Sequence, residues 1–490
     1  MISETNITSP MMTLSTIAKV VGGKLLADHM QDSTVLSVGT DSRAIVEGQL
    51  FVAIKGEHFD GNQFAEQAIQ QGATAVLVSD SNTRARPAIV VEDTRLALGQ
   101  LAQYWRNQFD IPVIAITGSN GKTTTKEMLT AILNASTKSA ESVHATAGNL
   151  NNDIGMPSTL LKLRKQHAYA VIEMGMNHLG EIDYLSRIAK PTVALINNAG
   201  TAHIGELGSR DNIAKAKGEI FNGLTANGVA ILNADDAFFG YWQTLIQSKN
   251  DSKKVITFGL DPAADVRAEY EEIDGKNHLQ LTTPTGKVSF QLNVLGKHNI
   301  TNALAASAAA VALGISNQDI ANGLQNMQAV HSRLERKQGF NGAALIDDTY
   351  NANPDSMKAA IDVLVAANSR RVFVMGDMAE LGADAEKMHT EIGLYAKQKG
   401  VEDFLAFGAL SAHSASGFGD GAQRCSSVEE VIVKTKDLMQ KNVTVLVKGS
   451  RFMKMERVVD ALTQADPSTK SSKSTEQIQQ KSLTEDASCY

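Results

Sequence analysis

The stretch Ile114-Ala115-Ile116-Thr117-Gly118-Ser119-Asn120-Gly121-Lys122-Thr123-Thr124 constrains this chain more than any other. An apolar β-branched run, a turn carrying two glycines and a Lys-Thr-Thr start read as a strand, a tight loop and a helix N-terminus. Gly118 and Gly121 let successive backbone N–H groups turn toward one anion, and the helix dipole favours negative charge there. Lys122 is placed to reach β- and γ-phosphates, and the Thr123 hydroxyl to ligate Mg2+. The common spacing asks for glycine at 116, where Ile116 stands, so this is a shortened loop.

Around the loop the periodicity alternates. Residues 50–54 and 75–78 read as strands of a small α/β unit, with helical spacing at Phe64, Ala68 and Ile69 and again over 96–105. Apolar runs at 113–117, 170–174, 193–196 and 229–232 alternate with helical segments, which predicts a parallel sheet covered on both faces. Over 275–295 the pattern switches to strict alternation, as in antiparallel strands, before an Ala-rich helix at 302–313. A third α/β section has strand candidates at 343–346, 371–375, 404–407 and 443–447, and helices at 356–366 and 428–439. At about 150 residues per domain, 490 residues suggest roughly three. The expected fold is α/β in three domains: a small α/β unit over 1–110, a central P-loop-type parallel sheet over 111–330, and a Rossmann-like unit over 331–465. Residues 466–490 have almost no core-forming side chains and read as a disordered tail. Residues 1–10 are a candidate extension, since Met11 and Met12 are alternative starts.

Composition excludes several classes. A net charge of −7 disfavours a nucleic-acid coat or a polybasic membrane anchor. The apolar run at 303–313 is too short to cross a bilayer, and no basic residue precedes Lys19, unlike a secretory signal. Cys425 and Cys489 allow neither a disulfide scaffold nor a four-cysteine zinc site. A cytoplasmic protein is expected.

Three further residues are chemically suggestive. Glu173 ends a predicted buried strand at the edge where doubly wound sheets bind ligands, which suits a Mg2+ ligand or a solvated strand end equally. His203 follows the next strand, where a structural role is the commoner one. In a helix over 211–224, Lys217 shares the apolar face with Ile213 and Phe221, whereas Lys215 faces water. An inward lysine loses solvation and becomes a neutral, nucleophilic amine. A stem covering apolar surface with its ammonium in water is the bland alternative.

The loop at 117–124 resembles that of the Mur ligases, ATP-dependent enzymes that add amino acids to the peptidoglycan precursor. The resemblance runs from about residue 14 to 462. Thr40-Asp41-Ser42-Arg43 and residues 48–61 resemble the domain holding the UDP end of the substrate, and Asn149-Leu150-Asn151-Asn152-Asp153-Ile154-Gly155-Met156-Pro157 the segment approaching the muramyl part. Residues 215–221, 347–354 and 376–382 are most similar to the branch that adds D-alanyl-D-alanine, and the Asp-Asn-Pro-Arg signature of the diaminopimelate-adding branch is absent.

The resemblance implies a site. ATP would be held by Gly118, Ser119, Asn120, Gly121, Lys122, Thr123, Thr124, Asn302 (adenine), Arg333 (phosphates) and Asp348 (ribose). Two Mg2+ ions would be held by Thr123, Glu173, His203 and Lys217, the last as a carbamate formed from CO2. Lys122, Lys217, His203 and Arg333 would be catalytic. Ser42, Arg43, Asn149 and Asn152 would meet UDP-MurNAc-tripeptide, and Asn351, Asn353, Ser356, Lys448 and Arg451 D-alanyl-D-alanine. The terminal carboxylate would be phosphorylated and the acyl phosphate attacked by the dipeptide amine, in a monomer. The competing readings are a diaminopimelate- or lysine-adding ligase, a folylpolyglutamate synthetase, and a nucleotide-gated binding module.

Overall fold

The computed structural model describes residues 9–27, 29–56, 59–249, 253–273, 276–328 and 330–463. The tail expected over 466–490 and most of the candidate extension lie outside the described residues.

The central sheet is six-stranded and parallel, ordered Lys254–Phe258, Val229–Asn233, Val193–Ile196, Val113–Thr117, Tyr169–Glu173, Val143–Ala145. Every side chain of Val113–Thr117 is buried, as a strand covered on both faces requires. The helix Lys122–Thr137 and the Ala-rich helix Lys297–Ala312 pack together on one face. The alternating region forms three antiparallel strands, Arg267–Ile273, Lys276–Thr283 and Gly286–Leu292, whose inward Leu279, Leu281, Phe290 and Leu292 join that core. The other face is shared. Leu98 and Leu101 of helix Thr94–Arg106 pack into one core with Leu160, Leu185 and Ile188, and Trp105 Nε1 donates to Leu163 O at 3.1 Å. The N-terminal sheet, ordered Lys24–Leu26, Ala88–Val90, Ala75–Val78, Gln49–Val52, Ser37–Gly39, therefore belongs to a unit whose helix is buried against the central one.

The third sheet is ordered Glu335–Gln338, Ala344–Asp348, Val443–Lys448, Arg370–Gly376, Asp403–Phe407, Ala422–Cys425, parallel except for its first strand. Two local differences from the sequence reading have physical causes. The sequence predicts a loop helix from Lys122 to about Leu133; it runs on to Thr137, where Leu133 O accepts the Thr137 hydroxyl before Lys138 turns left-handed at φ 56°. The helix expected over 211–224 is α-helical only over Arg210–Gly218 and then tightens to a 3-10 turn, Glu219–Asn222. There the Glu219 carboxylate accepts from Gly180 N at 2.8 and 3.0 Å and from Asp183 N at 3.2 Å, at the start of the earlier helix Glu181–Ala189. Among the described residues no helix is long and apolar enough to cross a membrane.

Candidate active site

Parallel pairing fixes the site. Glu173 is in register with Ile116, and Ile196 with Thr117, so the loop, Glu173 and the segment starting at Asn197 leave the sheet at one carboxyl edge. Gly121 turns the loop into its helix at φ 79°, and a side chain there would collide with Asn302 and Asn197. Asn197 and Asn198 both donate to Asn120 O, at 2.9 and 3.1 Å, and Gly200 N donates to Ser119 Oγ at 2.9 Å. Lys122 Nζ donates to Gly118 O at 2.8 Å across the loop, and Thr124 is buried behind it.

Glu173 is 1% exposed, and both its oxygens are fixed. Thr123 Oγ1 donates to one at 2.9 Å and Asn151 Nδ2 to the other at 2.8 Å. Lys217 is 2% exposed. Burial holds it well below the usual lysine range; Lys122 adds like-charge repulsion, while Asp236 pulls the other way. Burial also lowers Lys122, against the opposing charges of Glu173 and Glu380.

The C-terminal unit closes the site. Arg333 Nη2 donates to Thr123 Oγ1 at 3.0 Å, its guanidinium stacks 4.0 Å from the Tyr350 ring centroid, and its buried Nε has no hydrogen-bond partner among the described residues. Asn353 Nδ2 donates to Asn120 Oδ1 at 2.7 Å, and Thr201 Oγ1 to Asp355 Oδ2 at 2.9 Å. Both His203 and Glu380 are left-handed, at φ 63°; His203 Nδ1 lies 2.9 Å from Glu380 Oε2, an ion-pair distance out of line for a hydrogen bond. The His203 ring holds the Glu380 carboxyl below its ordinary range.

Residues 116–310 match the family description "Mur ligase middle domain", 332–451 "Mur ligase, glutamate ligase domain" and 34–106 "Mur ligase family, catalytic domain". A protein of Escherichia coli (strain K12) named UDP-N-acetylmuramoyl-tripeptide--D-alanyl-D-alanine ligase is 43% identical, over 92% of this chain and 98% of that one. The chain belongs to the Mur ligase family. A crystal structure of MurF from Acinetobacter baumannii superposes on this Mur ligase with a TM-score of 0.86 at 39% identity, over 92% of this chain and 99% of that one. A MurF ligase from Thermotoga maritima in complex with ADP gives 0.76 at 27% identity, over 87% and 96%.

Several residues expected to meet substrates in this Mur ligase are committed to its own chain. Lys448, expected to grip the dipeptide, is 2% exposed; its Nζ donates to Asp348 Oδ2 at 2.6 Å and Asn351 O at 2.8 Å, because a buried ammonium needs an anion. Asp348, expected on ribose, spends its other oxygen on Leu334 N at 3.2 Å. Ser356 and Asn353 form the capping box of helix Pro354–Val365, and the Asn152 carboxamide caps Gly155 N at 2.8 Å. Arg43 is bidentate to Asp41 at 2.9 Å, beside a buried Ser42. Asn302 is 4% exposed behind the loop, accepting from Asn197 and donating to Asn299 at 2.9 Å. Asn149 and Asn351 are exposed, and Arg451 Nη1 is 3.3 Å from Glu456. Sequence reasoning gave no role to Asn151, Asn197, Asn198, Tyr350, Asp355 or Glu380. Asn151, Tyr350 and Glu380 fall inside segments singled out above, but local spacing does not say which partner each side chain meets.

Proposed function

We propose that this Mur ligase joins D-alanyl-D-alanine to the terminal carboxylate of UDP-MurNAc-tripeptide, converting ATP to ADP and phosphate. The reading is carried by one observation: the buried Lys217 amine feels the charge of the loop residue Lys122, which in turn faces Glu173, in a chain that spans nearly the whole length of relatives bearing that name. The loop holds the triphosphate, Lys122 and Arg333 offset charge on the transferring phosphoryl group, and the orphaned Arg333 Nε suits an anion beside Thr123. The peptide carboxylate takes the γ-phosphoryl group as an acyl phosphate. The dipeptide amine then attacks its carbonyl carbon, the C–N bond forms, the amine loses a proton and phosphate leaves.

The donor set fits Mg2+. Thr123 and Glu173 present hard oxygens held together at 2.9 Å, and His203, in the segment that leaves the same sheet edge after strand Val193–Ile196, would complete the set. A neutral Lys217 amine attacks CO2 to form an N–C bond and releases one proton, turning a would-be cation into an anionic oxygen ligand. When bound, the ions neutralise phosphate charge and orient the transferring group. Domain closure through Arg333, Asn353 and Glu380 keeps water from the acyl phosphate.

The test is phosphate release by the purified chain with ATP and bicarbonate. Release that requires both UDP-MurNAc-tripeptide and D-alanyl-D-alanine supports the reading, whereas turnover with neither acceptor points to a nucleotide-gated module. Pairing diaminopimelate- and lysine-containing tripeptides with the dipeptide identifies the accepted third residue.

A further inference from the structure

Lys126 is an odd residue for its place. It lies one turn into the loop helix, on the same face as Thr123, and is 1% exposed. A methionine of similar length would fill the space without desolvating a charge. Its Nζ lies 2.6 Å from Glu127 Oε1 and donates to Thr146 O at 2.6 Å. Thr146, itself 1% exposed, is the first residue beyond the edge strand Val143–Ala145. Its N–H donates to Val171 O at 3.0 Å, and its Oγ1 accepts from Glu173 N at 2.9 Å, so it prolongs the ladder as far as the carboxylate-bearing residue.

From Thr146 the chain turns away and returns at Asn151, whose carbonyl accepts from Gly175 N at 2.9 Å while its amide holds Glu173 Oε1. A closed ring results: Lys126 to Thr146, along the turn to Asn151, to the Glu173 carboxylate, to Thr123, and back one helical turn to Lys126. Thr123 fixes the Glu173 side chain, and Lys126 acting through Thr146 fixes its main chain and the starting point of the turn that carries Asn151.

We propose that Lys126 is a positioning residue: by anchoring Thr146 it aligns Glu173 and Asn151 on the nucleotide-metal site, tying the acceptor-facing turn to the phosphate-loop helix. This rests on the ligase reading above. Lys126→Met and Thr146→Val should each lower kcat at least about tenfold, since small displacements near the reacting group are costly, with the KM for ATP changing less than about threefold. Both should also weaken Mn2+ binding to the ADP complex severalfold, followed by water-proton relaxation. Thr146→Ser, which keeps the acceptor oxygen, should restore both values. Wild-type kcat and Mn2+ affinity in Lys126→Met would overturn the proposal, as would equal losses in Thr146→Ser and Thr146→Val. Should Lys126→Met not fold, Lys126→Gln, uncharged and too short to reach the Thr146 carbonyl, takes its place under the same criteria, while the two Thr146 variants test the hydroxyl link to Glu173 through which Lys126 acts. Wild-type protein that makes no product counts against the ligase reading only, because the Mn2+ titration needs no turnover.

Discussion

Arg333 and Thr123, 210 residues apart, are joined by a 3.0 Å hydrogen bond from the guanidinium to the hydroxyl that also holds Glu173. One threonine thus ties the phosphate loop, a metal-ligand candidate and the start of the C-terminal unit. Removing Arg333 loses that bond and the stacking on Tyr350. Arg333→Ala should raise the KM for ATP about tenfold and lower kcat, as expected for a hydrogen bond from a charged donor. Arg333→Lys should fall between, since an ammonium keeps the charge but not the planar stack. Steady-state kinetics in ATP checks both.

Lys217 is buried and held below its usual range, and the proposed carbamate requires it to meet CO2 as a neutral amine. Stripping bicarbonate should depress activity, and adding it back should restore activity. With 13C-bicarbonate, a carbamate resonance should appear that Lys217→Ala lacks. Lys217→Ala should lose at least about a hundredfold in kcat, of the order of one stabilising group in a transition state.

Closure depends on a bare backbone at Gly205. Its N–H donates to Glu380 O at 3.0 Å, and a Cβ there would stand 2.6 Å from Gly382 N and 2.8 Å from Glu380 O. Gly205→Ala should hold the C-terminal unit off the site. kcat should drop by more than about tenfold while thermal stability changes little, and small-angle scattering should report a larger radius of gyration.

The Asp348–Lys448 pair is the inner prop of the third sheet. Asp348→Ala leaves a buried ammonium without its anion and should cost about 3 kcal/mol, read in denaturant unfolding. The double variant Asp348→Asn with Lys448→Met should recover most of that loss.

His144 carries a pH dependence. Its Nε2 donates to Thr159 O at 2.7 Å, it stacks on His167, and burial lowers it from 6.5 to about 4. Between those values the unfolded chain binds a proton that the folded chain does not. Stability is therefore full above about pH 6.5 and falls by up to about 3 kcal/mol as pH drops to about 4. Thermal melts at pH 7 and 5 should differ less in His144→Gln than in the wild-type chain.

What the sequence determined by itself is local and periodic. The β-branched run into Gly118–Thr123, the alternation at 275–295 and the inward face of Lys217 are relations between residues two to four apart, and backbone geometry turns such spacings directly into strand, loop and helix face. Only the tertiary structure decided which charge meets which. Parallel register brought Glu173 beside Thr123 and carried Asn151 to it, while closure set Arg333 on Thr123 and Glu380 beside His203. The pairing of Lys448 with Asp348 has the same origin. A buried charge takes whichever opposite group the packing leaves within reach, and that reach is fixed by strand order and domain contact, to which spacing along the chain is blind.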